Sequence, residues 1–237
     1  MSKNNLNVQA SEKVSYGSVL KGKSLHNNRD DYCLKQISRI IDDVIAQTGN
    51  NNPSILEIGF GDGRHMRKLS SIYKNASFTG LEVRKKPVDD MVELGYDCRL
   101  VETEEFNDFF KSGETFDIIF GSGVLHHMSD PYKSLESLIK LSKPGGTIYF
   151  TGEHHKYDLL SHLNAFIKKN WIYEKNSLKV KRKYFKEMLG KNTKTHHVGY
   201  DNNGLVICFE RLNKLYCKLK MQKVPLWNCL TVFARVD

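Results

Sequence analysis

The feature that most constrains this chain is the passage from Ile55-Leu56-Glu57-Ile58 into Gly59-Phe60-Gly61-Asp62-Gly63, an apolar strand signal that runs without a spacer into a glycine-rich turn. Apolar residues at helical spacing follow over Arg64–Tyr73. Glycine tolerates positive φ and lets a ligand come close to the backbone, and the helix start behind the turn presents unsatisfied N–H groups that favour an anion. A strand, a tight turn and a helix in that order make the first half of a parallel β-α-β unit, so the chain needs further strands for the helix to fold back upon.

The sequence supplies them. Strand signals at Ser54–Ile58, Ser77–Leu81, Asp97–Val101, Phe116–Phe120 and Gly146–Thr151 alternate with helical signals at Arg64–Tyr73, Pro87–Leu94, Thr103–Lys111 and Pro131–Leu141. Such alternation predicts right-handed crossovers and a parallel sheet covered by helices on both faces. Upstream, Tyr32, Leu34, Ile37, Ile40, Ile41, Val44 and Ile45 predict a helix over Asp30–Gln47, stopped at Thr48-Gly49-Asn50. Residues 1–28 are polar without a sustained period and read as a mobile arm. Downstream, helical patterns at Lys156–Lys169, Val180–Leu189 and near Val206–Leu219 and strands at Thr195–Gly199 and Asn228–Val236 would complete the sheet.

Hydrophobic residues make up 40% of the 237 positions, too many for a disordered chain. No apolar run approaches the ~18 residues of a membrane span, and Met1-Ser2-Lys3-Asn4-Asn5 leads into no secretory signal, so the expected location is cytoplasmic. Cys33, Cys98, Cys208, Cys217 and Cys229 are odd in number and widely spaced, which points to reduced, mostly buried thiols. The charge is uneven. Residues 1–150 hold 19 Lys and Arg against 20 Asp and Glu, whereas residues 151–237 hold 17 against 7. The back third is therefore suited to an acidic partner: a small molecule with an anionic group, a nucleic acid or an anionic membrane surface.

By itself the glycine turn would suit a dinucleotide or an adenosyl cofactor. Two details separate these. The glycines follow Gly-x-Gly-x-Gly, with Arg64 where the dinucleotide fingerprint would place its third glycine, and the acidic Glu57 stands just before the turn. In both respects the chain resembles the class I S-adenosylmethionine-dependent methyltransferases, in their small-molecule-type branch. The resemblance extends over residues 53–152: Glu82 at the end of the second strand, Val101-Glu102-Thr103-Glu104-Glu105 after the third, Gly121-Ser122-Gly123-Val124-Leu125-His126-His127 after the fourth, and Lys143-Pro144-Gly145-Gly146 before the fifth.

The resemblance implies a doubly wound, mostly parallel seven-stranded Rossmann-like sheet with helices on both faces and a C-terminal insert or lid. It implies S-adenosyl-L-methionine as cofactor, with Glu57 near the methionine amino group, Glu82 on both ribose hydroxyls, Glu102 and Thr103 at the adenine edge, and Gly59, Gly61, Gly63, Gly121, Ser122 and His126 lining the cofactor. Residues 1–52 then form an arm and helix acting as a lid, 53–155 the cofactor-binding core, and 156–237 the completed sheet with a basic helical cap on the acceptor side. His127 is the candidate catalytic base, with His154 and Glu153 as further possibilities. No metal is expected, because His126-His127 and His154-His155 lack a supporting carboxylate or cysteine set. The expected activity is methyl transfer to a small, acidic or lipid-like acceptor. The alternatives are an RNA methyltransferase, disfavoured by the absence of an appended RNA-binding module, and a noncatalytic binding protein that keeps the fold.

Overall fold

Parallel strands buried on both faces are written as near-continuous apolar runs, and Ile55–Ile58 and Phe116–Phe120 are such runs. The structure, a computed structural model, describes residues 23–101, 113–153, 180–202 and 228–237. In chain order it comprises α1 (Lys23–Thr48), β1 (Ser54–Ile58), α2 (Arg64–Ile72), β2 (Ser77–Glu82), α3 (Lys85–Glu93), β3 (Asp97–Leu100), β4 (Phe116–Ser122), a 3-10 turn at Leu125–His127, α4 (Pro131–Leu141), β5 (Ser142–Glu153), α5 (Arg182–Asn192), β6 (Thr193–Asn202) and β7 (Asn228–Val236). The strands form one seven-stranded sheet in the order β3-β2-β1-β4-β5-β7-β6. The first five are parallel, and β7 runs antiparallel to both β5 and β6. This is the doubly wound architecture that the alternation predicts.

Alternation along β1 divides the core. Ile55 packs with Cys33, Ile37, Ile41 and Val44 of α1 and Leu69 of α2, whereas Leu56 and Ile58 pack with Leu135 and Leu138 of α4 and Phe185 and Leu189 of α5. The apolar stripe of α1 thus covers one face of the sheet over Ile118, Phe120 and Tyr149. Under the glycine turn, Phe60, Met66, Val88, Met91 and Cys98 form a smaller cluster that joins α2 and α3.

Several boundaries differ from the sequence reading. α1 begins at Lys23, so residues 23–28 belong to a helix rather than to the arm. α3 begins at Lys85, two residues before Pro87. Proline fits there because the first turn of a helix has no internal acceptor for its N–H groups. β5 begins at Ser142, which pairs with Phe116 before the register shifts, so the Lys143–Gly146 turn is absorbed into an irregular strand start. α5 is displaced to Arg182–Asn192, and β6 runs longer than expected, from Thr193 to Asn202. The helices read at Thr103–Lys111, Lys156–Lys169 and near Val206–Leu219 lie outside the described residues, as do residues 1–22. Among the described residues no helix is long and apolar enough to cross a membrane.

Candidate functional site

Because β1 leads outward to β2 and β3 on one side while β4 and β5 lie on the other, the strand order reverses between β1 and β4. The crevice beyond the carboxyl ends of those strands is where open α/β sheets take ligands. Gly59, Gly61 and Gly63 make the turn there at φ of 66°, 64° and 72°, in the left-handed region that favours glycine. A Cβ on Gly59 would come within 2.6 Å of Val124 Cγ2, and one on Gly63 would collide with Met91 Sδ. A Cβ on Gly121, at the end of β4, would lie 2.7 Å from Val124 Cγ1. Val124 therefore wedges between the two loops, and only side-chain-free positions allow them to approach.

Glu82, at the end of β2, is 5% exposed and ties these parts together. Its Oε2 accepts from the Gly61 N–H at 2.9 Å, and its Oε1 accepts from the N–H groups of Val83 and Arg84 at 3.0 and 3.2 Å. The Arg84 guanidinium spans the same carboxylate, with Nε 3.0 Å from Oε1 and Nη2 2.9 Å from Oε2. Sequence reading found Glu82 but not Arg84.

Glu57 follows Ile55 on the same face of β1 and so points beneath α2. It is 2% exposed, with Oε1 2.9 Å from Nδ1 of the buried His65. Among the described residues its Oε2 has no hydrogen-bond partner. Burial pushes the carboxyl pKa up, opposed by the hydrogen bond and charge of His65 and by the Met66 N–H, and reinforced by Asp62. His65 also escaped sequence reading. Its signal was present in retrospect: the second residue of α2 faces the strand position where Glu57 alternates inward.

On the other side of the crevice Glu153, fully buried at the end of β5, accepts from the backbone N–H groups of Val124 and His126 at 3.0 Å each. The His126 Nδ1 lies 2.8 Å from its Oε2. An ionised carboxylate only accepts, so in that state of Glu153 the His126 Nδ1–H is the donor of this pair. The expectation that these histidines lack a supporting carboxylate is thus wrong for His126. It failed because Glu153 is remote in sequence and adjacent only across the β4–β5 pair. His127 is exposed, with its ring centroid 4.0 Å from that of His126. Ser122 ends β4 half-buried, paired with Thr151.

Glu57, Gly59, Gly61, Gly63, Glu82, Gly121, Ser122, His126 and His127 are all brought to the carboxyl ends of β1, β2 and β4; Glu102 and Thr103 lie outside the described residues. Among the described residues no group of three or more His, Cys, Asp or Glu could hold a metal ion.

Residues 56–148, which hold the turn, Glu82 and the β4 loop, match the family described as a methyltransferase domain. Over those residues the chain is similar to methyltransferase domains. Over 124 residues the chain is 24% identical to a ubiquinone biosynthesis O-methyltransferase of Aliivibrio fischeri (strain MJ11), a match covering 50% of the chain and 52% of that relative. The chain thus spans about half the length of this relative. Among solved structures, the chain resembles in fold the plantazolicin methyltransferase BamL, crystallised with a triazolic desmethylPZN analog and SAH. There the TM-score is 0.67 at 16% identity, covering 98% of this chain and 96% of that one. A SAM dependent methyltransferase from Archaeoglobus fulgidus aligns with a TM-score of 0.57 at 15% identity, over 86% of this chain and 93% of its own.

Proposed function

We propose that the protein is an S-adenosylmethionine-dependent methyltransferase acting on a small acceptor that is acidic or lipid-like. The observation that carries this reading is the convergence of the Gly59–Gly63 turn, the Glu82 carboxylate and the Glu153-held β4 loop at one switch point. The residues fit such a cofactor. Glu57 Oε2, buried and among the described residues without a hydrogen-bond partner, suits an ammonium group, and the left-handed glycines keep the strand end free of side chains.

When bound, S-adenosylmethionine supplies an activated methyl carbon that an acceptor lone pair can take by in-line displacement. The protein's part is to fix the partners and to handle a proton. Glu153 and His126 hold the loop after β4 in one shape, and the exposed His127 beside them is the candidate base for a hydroxyl acceptor. The relative named for ubiquinone biosynthesis supports a lipid-like acceptor and oxygen as the methylated atom. The excess of 17 Lys and Arg over 7 Asp and Glu in residues 151–237 supports an anionic group on it.

The test is calorimetric titration of the full chain with S-adenosylmethionine and SAH. Saturable binding is expected in the wild type and absent in Gly61→Arg; no saturable binding by well-folded wild type would sink the reading. With an acceptor in hand, His127→Ala should lower turnover by about 10²-fold or more while leaving SAH affinity unchanged. Undiminished turnover would remove His127 from the mechanism.

A further inference from the structure

A carboxylate offers about four lone-pair directions. Among the described residues Glu82 already receives five donors: the N–H groups of Gly61, Val83 and Arg84 and the Arg84 Nε and Nη2. Two ribose hydroxyls cannot be added without removing some of these. The three backbone donors are fixed by the turn after β1 and by the approach to α3. The side-chain donors both belong to Arg84, whose side chain is 17% exposed and so has a path toward solvent.

We propose that Arg84 is a latch on the ribose subsite, a residue that occupies the Glu82 oxygens until an adenosine ribose displaces it. The inference rests on the cofactor reading above. Arg84 holds Glu82 aimed at Gly61 while the subsite is open, keeping a buried carboxylate paired, and it then yields the two oxygen edges to hydroxyl donors. Its fork geometry makes it a strong competitor, since a bidentate guanidinium–carboxylate pair is about twice as strong per bond as a neutral hydrogen bond. A ligand with no ribose hydroxyls has no reason to open it. Arg84 is therefore a specificity-determining residue that reduces the gain from each hydroxyl.

The experiment compares wild type, Arg84→Ala and Arg84→Lys by calorimetry and stopped-flow binding, using SAH and its 2′-deoxy counterpart as probes. Arg84→Ala is expected to bind SAH about threefold to tenfold more tightly and to associate faster. Arg84→Lys keeps the charge but not the fork and should gain less. The penalty for losing the 2′-hydroxyl should be larger in Arg84→Ala than in wild type, a readout that a merely structural arginine would not move. Unchanged or weaker SAH binding in Arg84→Ala, with an unchanged deoxy penalty, overturns the latch while leaving the cofactor reading intact. If Arg84→Ala fails to fold, the same comparison of SAH with its deoxy counterpart in Arg84→Lys decides the matter. Failure of folded wild type to bind SAH overturns the cofactor reading and the latch together.

Discussion

At the scale of single residues, Glu57 is a carboxyl whose ionised form burial disfavours. Burial holds its pKa above the ordinary 4.5, and the groups facing it pull in opposite directions: His65 and the Met66 N–H favour the ionised form, and Asp62 opposes it. Across the same space lies the Cys98 thiol, itself pushed up to about 11 by burial and by the charges of Asp97 and Glu57. A carboxyl whose pKa is raised on folding contributes stability that is fully present below its unfolded value and is lost as pH rises through its folded value. Urea unfolding of wild type and Glu57→Gln should therefore diverge above pH 4.5, with the variant gaining on wild type as pH rises. A difference that stays flat up to pH 8 would show that His65 fully offsets the burial. Glu57 and Glu82 were legible in the sequence because each stands at a strand end beside glycine or a turn. His65, Arg84 and the role of Glu153 were not, since each acts through a pairing that exists only once helices lie on strands or strands lie side by side.

Among the elements, α1 shows how far periodicity carries. Its repeat gave the buried Ile37, Ile41 and Val44, and the structure adds Cys33 to the same stripe. Ile41 is fully buried against the sheet, so Ile41→Ala should lower the unfolding free energy by about 2–5 kcal/mol in a urea titration. A loss under about 1 kcal/mol would mean that the neighbours collapse into the space. The strand–helix alternation was legible because each apolar run is closed by a turn signal. Boundaries were less so. Pro87 marked a helix start that lies two residues earlier, and Gly145, at φ 76°, masked the pairing of Ser142 with Phe116 that precedes it. At α4 the signs agreed: Asp130 caps the Tyr132 and Lys133 N–H groups and Pro131 occupies the first turn, so both ends matched.

For the whole molecule, a cofactor bound only by the folded chain adds to its stability by mass action. At a free SAH concentration about 100 times its Kd the gain is about 2.7 kcal/mol, which for a chain of this size raises Tm by roughly 5–10 °C. Thermal scans over an SAH series check this, and a Tm that does not rise once calorimetry shows saturation would mean that the unfolded chain binds as well. The sheet order has a consequence for how such a chain is made. β7 follows β6 in sequence yet lies between it and β5. Among the described residues, β6 emerges without a strand partner and the outer backbone edge of β5 stays open until residues 228–236 slide in to occupy both. Until then the nascent sheet presents rows of unmatched donors and acceptors, the surface on which newly made chains stick to one another or are held by chaperones. Insertion of β7 thus also buries the backbone edge by which β5 would otherwise hold the young protein to its neighbours.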